Sequence, residues 1–197
     1  ALQRSITEED DAITRRTDMT DTPRLLGISG ALRAASSNTM LVHEAARAFG
    51  PAEFDLGNIR FPLFDQDLED ETGVPAEVHA LADLCLSADA IVISTPEYNK
   101  NLSGSLKNAL DWLSRTGKAP LKDKPIAILS SAAGRAGGER SQYSLRHCLT
   151  PFGCHVLPGP EVMVAGANGA FDEDGRLKDP KAFEFLEKLM AALRAEI

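Results

Sequence analysis

From Pro23 onward, short uninterrupted apolar runs alternate with longer stretches in which apolar residues recur every three or four positions. The first pattern is that of strands buried on both faces, and the second is that of helices with one buried side. Leu25–Ser29 reads as a first strand. Asn38–Phe49 follows as a helix, with Leu41, Val42, Ala45, Ala46 and Phe49 on one face and Gly50-Pro51 as its stop. Glu53–Leu56 is a weaker strand leading into a loop that contains Pro62, Asp65 and Asp67. Val74–Ser87, entered through Pro75, is a second helix. Ala90–Ser94 is the most β-like run, and its unbroken apolarity predicts the centre of a parallel sheet. Ser103–Leu113 has Leu106, Leu110 and Leu113 on one stripe. Pro125–Leu129 is again a strand, followed by a loop with Gly134, Gly137 and Gly138 and a helix over Glu139–Leu149. A fifth strand is expected across Cys154–Val164, interrupted at Pro158-Gly159-Pro160. An amphipathic helix over Ala182–Leu193 closes the pattern.

Strand–helix units repeated in this way predict an α/β fold: a doubly wound, five-stranded parallel sheet with helices on both faces, because right-handed crossovers place helices on either side. The units fill residues 23–197 as one domain without internal repeats. Ala1 to about Thr22 differs in kind. It mixes Glu8, Glu9, Asp10 and Asp11 with Arg15 and Arg16 and has few large apolar residues, so a mobile arm is expected there.

The formal charge of −8 argues against nucleic acid or an anionic membrane surface as a partner. No apolar run approaches the roughly 18 residues that a membrane span requires. Cys85, Cys148 and Cys154 form no C-x-x-C pair and cannot build a disulfide framework, which fits a cytoplasmic protein. His43, His79, His147 and His155 are scattered without metal-ligand spacing, so no metal is expected.

In sheets of this kind ligands bind beyond the carboxyl ends of the strands, where strand order reverses. Three such loops have unusual compositions. Ser29-Gly30-Ala31-Leu32-Arg33-Ala34-Ala35-Ser36-Ser37-Asn38 has neither G-x-G-x-x-G nor a P-loop lysine. Its hydroxyls, arginine and amide at a helix start suit a single phosphate monoester, with Arg33 able to fork two oxygens. An ordinary Ser/Asn cap has the same composition. Thr95-Pro96-Glu97-Tyr98-Asn99-Lys100-Asn101 offers apolar surface and amides to a flat heteroaromatic ring, or forms a plain turn capped by Ser103. Ser130-Ser131-Ala132-Ala133-Gly134-Arg135-Ala136-Gly137-Gly138 lets backbone approach a ligand, or serves as a flexible connector.

Taken together, Ser29-Gly30-x-Leu32-Arg33-x-x-Ser36-x-Asn38, Thr95-Pro96-Glu97-Tyr98-Asn99 and Leu106-Lys107-Asn108-Ala109-Leu110-Asp111-Trp112-Leu113-Ser114-Arg115 resemble the NADPH-dependent FMN reductase family, which has a flavodoxin-like fold. Pro62–Glu69 and Gly134-x-x-Gly137-Gly138 add to the resemblance. It implies that Ser29, Arg33, Ser36 and Asn38 surround the FMN phosphate. It also implies that Pro96, Glu97, Tyr98 and Asn99 border the isoalloxazine, with Ser131 and Gly134 on the opposite loop. Ala31 stands where the family usually has serine, so weaker FMN binding is expected unless Ser37 or Thr39 compensates. Members are typically homodimers or homotetramers. Trp112 is therefore either an interface or a core residue.

The resemblance further implies a ping-pong cycle in which NADH or NADPH delivers hydride to flavin N5 and a small acceptor then takes its place. Quinones are the expected acceptors, with chromate, ferric chelates and azo compounds as alternatives. The chemistry resides on the flavin, and no protein nucleophile or general base is required. The rival from another class is a flavodoxin-type electron carrier that does not oxidise NAD(P)H; Arg33 in the phosphate loop argues against it. A regulatory module that binds no flavin is the other rival.

Overall fold

The computed structural model describes residues 22–197, so the expected N-terminal arm lies outside the described residues but for Thr22. Its strands are β1 (Arg24–Ser29), β2 (Glu53–Gly57), β3 (Ala90–Thr95), β4 (Pro125–Ser131), β5 (His155–Val156) and β6 (Val162–Val164). All pairings are parallel, in the order β2-β1-β3-β4-β5, with β6 also on β4. The last two are the halves of the expected fifth strand. His155 and Val156 pair with Pro125 and Ile126, whereas Val162–Val164 pair with Leu129–Ser131. Pro158 and Pro160 lie between them, where missing N–H groups cannot continue a ladder.

The helices are α1 (Ser37–Phe49), α2 (Gln66–Thr72), α3 (Ala76–Ser87), α4 (Gly104–Leu113), α5 (Glu139–Leu149) and α6 (Pro180–Arg194), with a 3₁₀ turn at Thr150–Phe152. Side chains alternate through the sheet as its two-residue period demands. Leu26, Ile28, Ile91, Ile93, Ile126 and Ile128 pack towards α3, α4 and α5. Leu25, Val92, Ala127 and Leu129 pack towards α1 and α6. Gly27 is needed where α1 crosses β1: a Cβ there would stand 2.3 Å from Val42 Cγ1 and 2.8 Å from Phe54 Cε2.

One element departs from expectation. The stretch after Asp65 was expected to be loop, yet Gln66–Thr72 is helical. None of its residues is buried, so no apolar stripe announces it. It is specified at its ends instead. The Asp65 carboxylate accepts from the Asp67 N–H at 2.9 Å, Asp67 and Glu69 face the positive end of the helix dipole, and Gly73 stops it at φ 77°. Trp112 is fully buried, and its indole N–H donates to Pro62 O at 2.9 Å, which makes it a core residue of this chain.

Glu44 on α1 is 1% exposed. Burial alone would raise its pKa. Hydrogen bonds from Arg47 and Arg176 and from the Leu177 N–H outweigh that and bring it down from 4.5 to about 2. The carboxylate thereby clamps the segment before α6 onto α1. Because the folded pKa is depressed, the stabilisation is complete above the unfolded value and is lost as pH falls from 4.5 towards 2. Glu44→Gln is expected to cost about 2–3 kcal/mol at neutral pH, as for loss of charged hydrogen bonds whose partners reach solvent. Urea unfolding at a series of pH values should show the gap to wild type closing through that acid window.

Candidate functional site

The carboxyl ends of β1, β3 and β4 lie side by side, and the reversal of strand order falls between β1 and β3. Asn38 in the first turn of α1 joins all three loops there. Its Nδ2 donates to Ser131 O at 2.9 Å, and its Oδ1 accepts from Ser131 N at 3.0 Å and from Ser94 Oγ at 2.8 Å. Its backbone N–H donates to Ser36 Oγ at 3.1 Å, so Ser36 caps the helix. Thr39 Oγ1 donates to Ser29 Oγ at 2.9 Å. Gly30 makes the close approach of β1 and β3 loops feasible, since a Cβ there would meet Pro96 Cδ at 3.0 Å.

The β1–α1 loop points an anion-binding surface outward. Among the described residues, the N–H groups of Leu32 to Ser37 have no hydrogen-bond acceptor, and the exposed Arg33 guanidinium has no partner. Together with the start of α1 they present donors and positive potential to one place. Ser131 Oγ is fully buried and takes no hydrogen-bond partner among the described residues, while both backbone groups of Ser131 are held by Asn38.

Beside this loop, a cavity of about 650 Å³ opens between the β3–α4 and β4–α5 loops, lined by Glu97 and the run Ala132–Arg140. Most of its wall is alanine and glycine, so a flat ligand would face backbone. Glu97 bridges the two loops: its carboxylate accepts from the Arg140 N–H at 3.2 Å and lies 3.5 Å from the Arg140 guanidinium. The rest of the β3–α4 loop is a tight turn. Tyr98 and Asn101 exchange backbone hydrogen bonds at 3.0 and 3.1 Å, with Asn99 and Lys100 at φ 50° and 67° between them.

A family model for NADPH-dependent FMN reductase matches residues 23–169, which include every one of these loops. The chain belongs to that family. The reductase is thus an oxidoreductase with FMN as cofactor and NAD(P)H as co-substrate. A NAD(P)H-dependent FMN reductase of Pseudomonas aeruginosa is 42% identical to it over 178 residues, 89% of this chain and 96% of that one. A quinone reductase of Escherichia coli is 40% identical over 149 residues, 74% of this chain and 79% of that one. Among solved structures, the flavoenzyme NAD(P)H:(acceptor) oxidoreductase of Paracoccus denitrificans superposes with a TM-score of 0.78 at 29% identity, covering 88% and 96% of the two chains.

The reductase brings Ser29, Ser36, Ser37, Asn38, Thr39 and Ser131 together at one corner, and Glu97 and Gly134 line the neighbouring cavity. Pro96 is buried against the first loop, whereas Tyr98 and Asn99 stand out on the exposed turn. The Asn38 amide is occupied by Ser94 and Ser131, and the Thr39 hydroxyl by Ser29. Of the two hydroxyls expected to compensate for Ala31, Thr39 Oγ1 is thus engaged and Ser37 Oγ makes no hydrogen bond among the described residues. Sequence reasoning missed Arg60, whose guanidinium donates to Leu32 O and steadies the β1–α1 loop from beyond the end of β2. That strand end is a fourth loop at the same edge, which was the signal available. The Asn108–Trp112–Arg115 part of the sequence motif has a structural explanation. Asn108 and Trp112 share one face of α4 and bind Pro62 O at 2.9 Å, and Arg115, just beyond the helix, binds Glu69 at 2.9 Å.

Two outcomes are expected in flavin-free protein, both read by urea denaturation. Asn38→Ala should cost about 2–4 kcal/mol by stranding the Ser131 backbone groups and Ser94 Oγ. Lys100→Gly should gain about 0.5–1 kcal/mol by relieving a left-handed lysine.

Proposed function

We propose that the reductase transfers electrons from NADH or NADPH to quinones through FMN held at the carboxyl edge of the sheet. The anion-binding entrance of α1 carries this assignment. Unpartnered N–H groups and Arg33 there match a phosphate monoester and would be idle in an ordinary helix cap. Arg33, Ser36 and Ser37, with the backbone around them, hold the phosphate; Ser29, Thr39 and Asn38 shape the loop behind it. The isoalloxazine occupies the cavity between Glu97 and Gly134, with Pro96 beneath and Tyr98 and Asn99 at its rim. Ser131 stands behind the β4–α5 loop, where Asn38 fixes the end of β4 against the cofactor site.

When bound, FMN would supply the redox chemistry at its N5, with NAD(P)H as hydride donor and the acceptor following in a ping-pong sequence. The chain's contribution is placement: small residues keep one ring face open to each partner in turn, so acceptor choice is broad. The Escherichia coli relative supports quinones, and chromate, ferric chelates and azo compounds are the further acceptors proposed for an open site. Residues 23–197 act as one FMN-binding domain, assembled as a homodimer or homotetramer and working in the cytoplasm. Unpaired Cys85, Cys148 and Cys154 support that compartment. Among the described residues no helix is long and apolar enough to cross a membrane.

The decisive experiment is anaerobic titration of FMN-loaded protein with NADPH or NADH. Bleaching of the visible flavin band, reversed by a quinone, is the expected result. Bound flavin that stays oxidised would make the protein a carrier, and failure to bind FMN would remove the assignment. Arg33→Ala should weaken FMN by about 1.5–3 kcal/mol, the value of a charged hydrogen bond, and leave riboflavin unaffected.

A further inference from the structure

We propose that Glu97 and Arg140 act as opposed charges that set the reduction potential of the flavin, with Glu97 holding it low. This rests on the isoalloxazine occupying the cavity between the β3–α4 and β4–α5 loops. Both residues line that cavity, Glu97 from the first loop and Arg140 from the first turn of α5. Their side chains are unequally shielded: Glu97 is 15% exposed and Arg140 is 55% exposed. Water and salt screen an exposed charge far more than a covered one, so the carboxylate outweighs its partner inside the cavity. The other charged residues on the wall, Arg135 and Glu139, are exposed and of opposite sign.

Glu97 also sits on the start of α5. That helix has Gly138 at its N-cap and no side-chain cap of its own. The carboxylate arriving from the neighbouring loop takes the Arg140 N–H instead, at 3.2 Å. A helix start otherwise favours negative charge in front of it. With Glu97 in place, that favourable potential is largely offset before it reaches the cavity. Hydride uptake adds two electrons and one proton, hence one negative charge, to the ring. A nearby carboxylate disfavours that change, which makes the reduced cofactor a stronger donor to the acceptor. Glu97 is therefore a tuning residue as well as an anchor between loops.

The test uses the Kd of FMN in its oxidised and fully reduced forms for wild type, Glu97→Gln and Arg140→Gln. Glutamine at 97 keeps an oxygen for the Arg140 N–H, so the anchor survives while the charge is removed. Glu97→Gln should favour reduced over oxidised FMN about tenfold relative to wild type, a rise of about 30 mV for a two-electron couple. Arg140→Gln should move the ratio the opposite way and by less, with an effect that fades at high salt. Opposite signs from the two ends of one pair cannot come from loosened loops. Shifts of the same sign, or unchanged ratios beside altered thermal stability, would reduce the pair to a loop anchor while leaving the cofactor assignment intact. Wild-type protein that takes up no FMN in either form would overturn both.

Discussion

The carboxyl edge of this sheet depends on one side-chain amide. Three parallel strands end side by side, and their last backbone groups, with the loops that leave them, must find partners without closing the space a ligand needs. Asn38 meets that requirement from α1, since an amide offers donor and acceptor in one plane. One edge of it serves both backbone groups of Ser131 and also receives Ser94 Oγ. An acid could accept but not donate, and a hydroxyl is too short to serve both strands. With the helix start fixed to β3 and β4 in this way, the N–H groups of the first loop are left without acceptors among the described residues.

Charge is distributed to the same end. The chain carries a formal −8, yet the loops that follow β1 to β4 contain four cations, Arg33, Arg60, Lys100 and Arg135, against two carboxylates, Asp65 and Glu97. Such an edge would attract anions on an otherwise repelling surface. Arg60 shows why such cations cannot be counted as ligands on charge alone. Its guanidinium is engaged by Leu32 O, and its effect on an anion is exerted through the loop it steadies.

The strands and long helices were legible because burial imposes a period on them. Ala90–Thr95 is buried at every position, and the fifth strand broke at the prolines that marked it. The short helix Gln66–Thr72 was not legible, since it buries nothing and is set by an aspartate cap and a glycine stop. At the site, composition singled out three loops that the fold brings to one edge, but could not apportion their residues. Asn38 reads in sequence like any amide near a phosphate loop, and its commitment to Ser94 and Ser131 is a contact across 56 and 93 residues. The Glu97–Arg140 bridge joins separate loops in the same way and has no local signature.

The interrupted fifth strand has a consequence for how copies of this chain meet. A parallel sheet ends in rows of unpaired N–H and C=O groups that could template another strand. Here one border is split into pieces of two and three residues, and the other is a five-residue strand carrying Glu53 and Asp55. Neither offers a long neutral ladder. Open-ended growth along the sheet is thereby disfavoured, and any contact between copies falls to helix and loop surfaces.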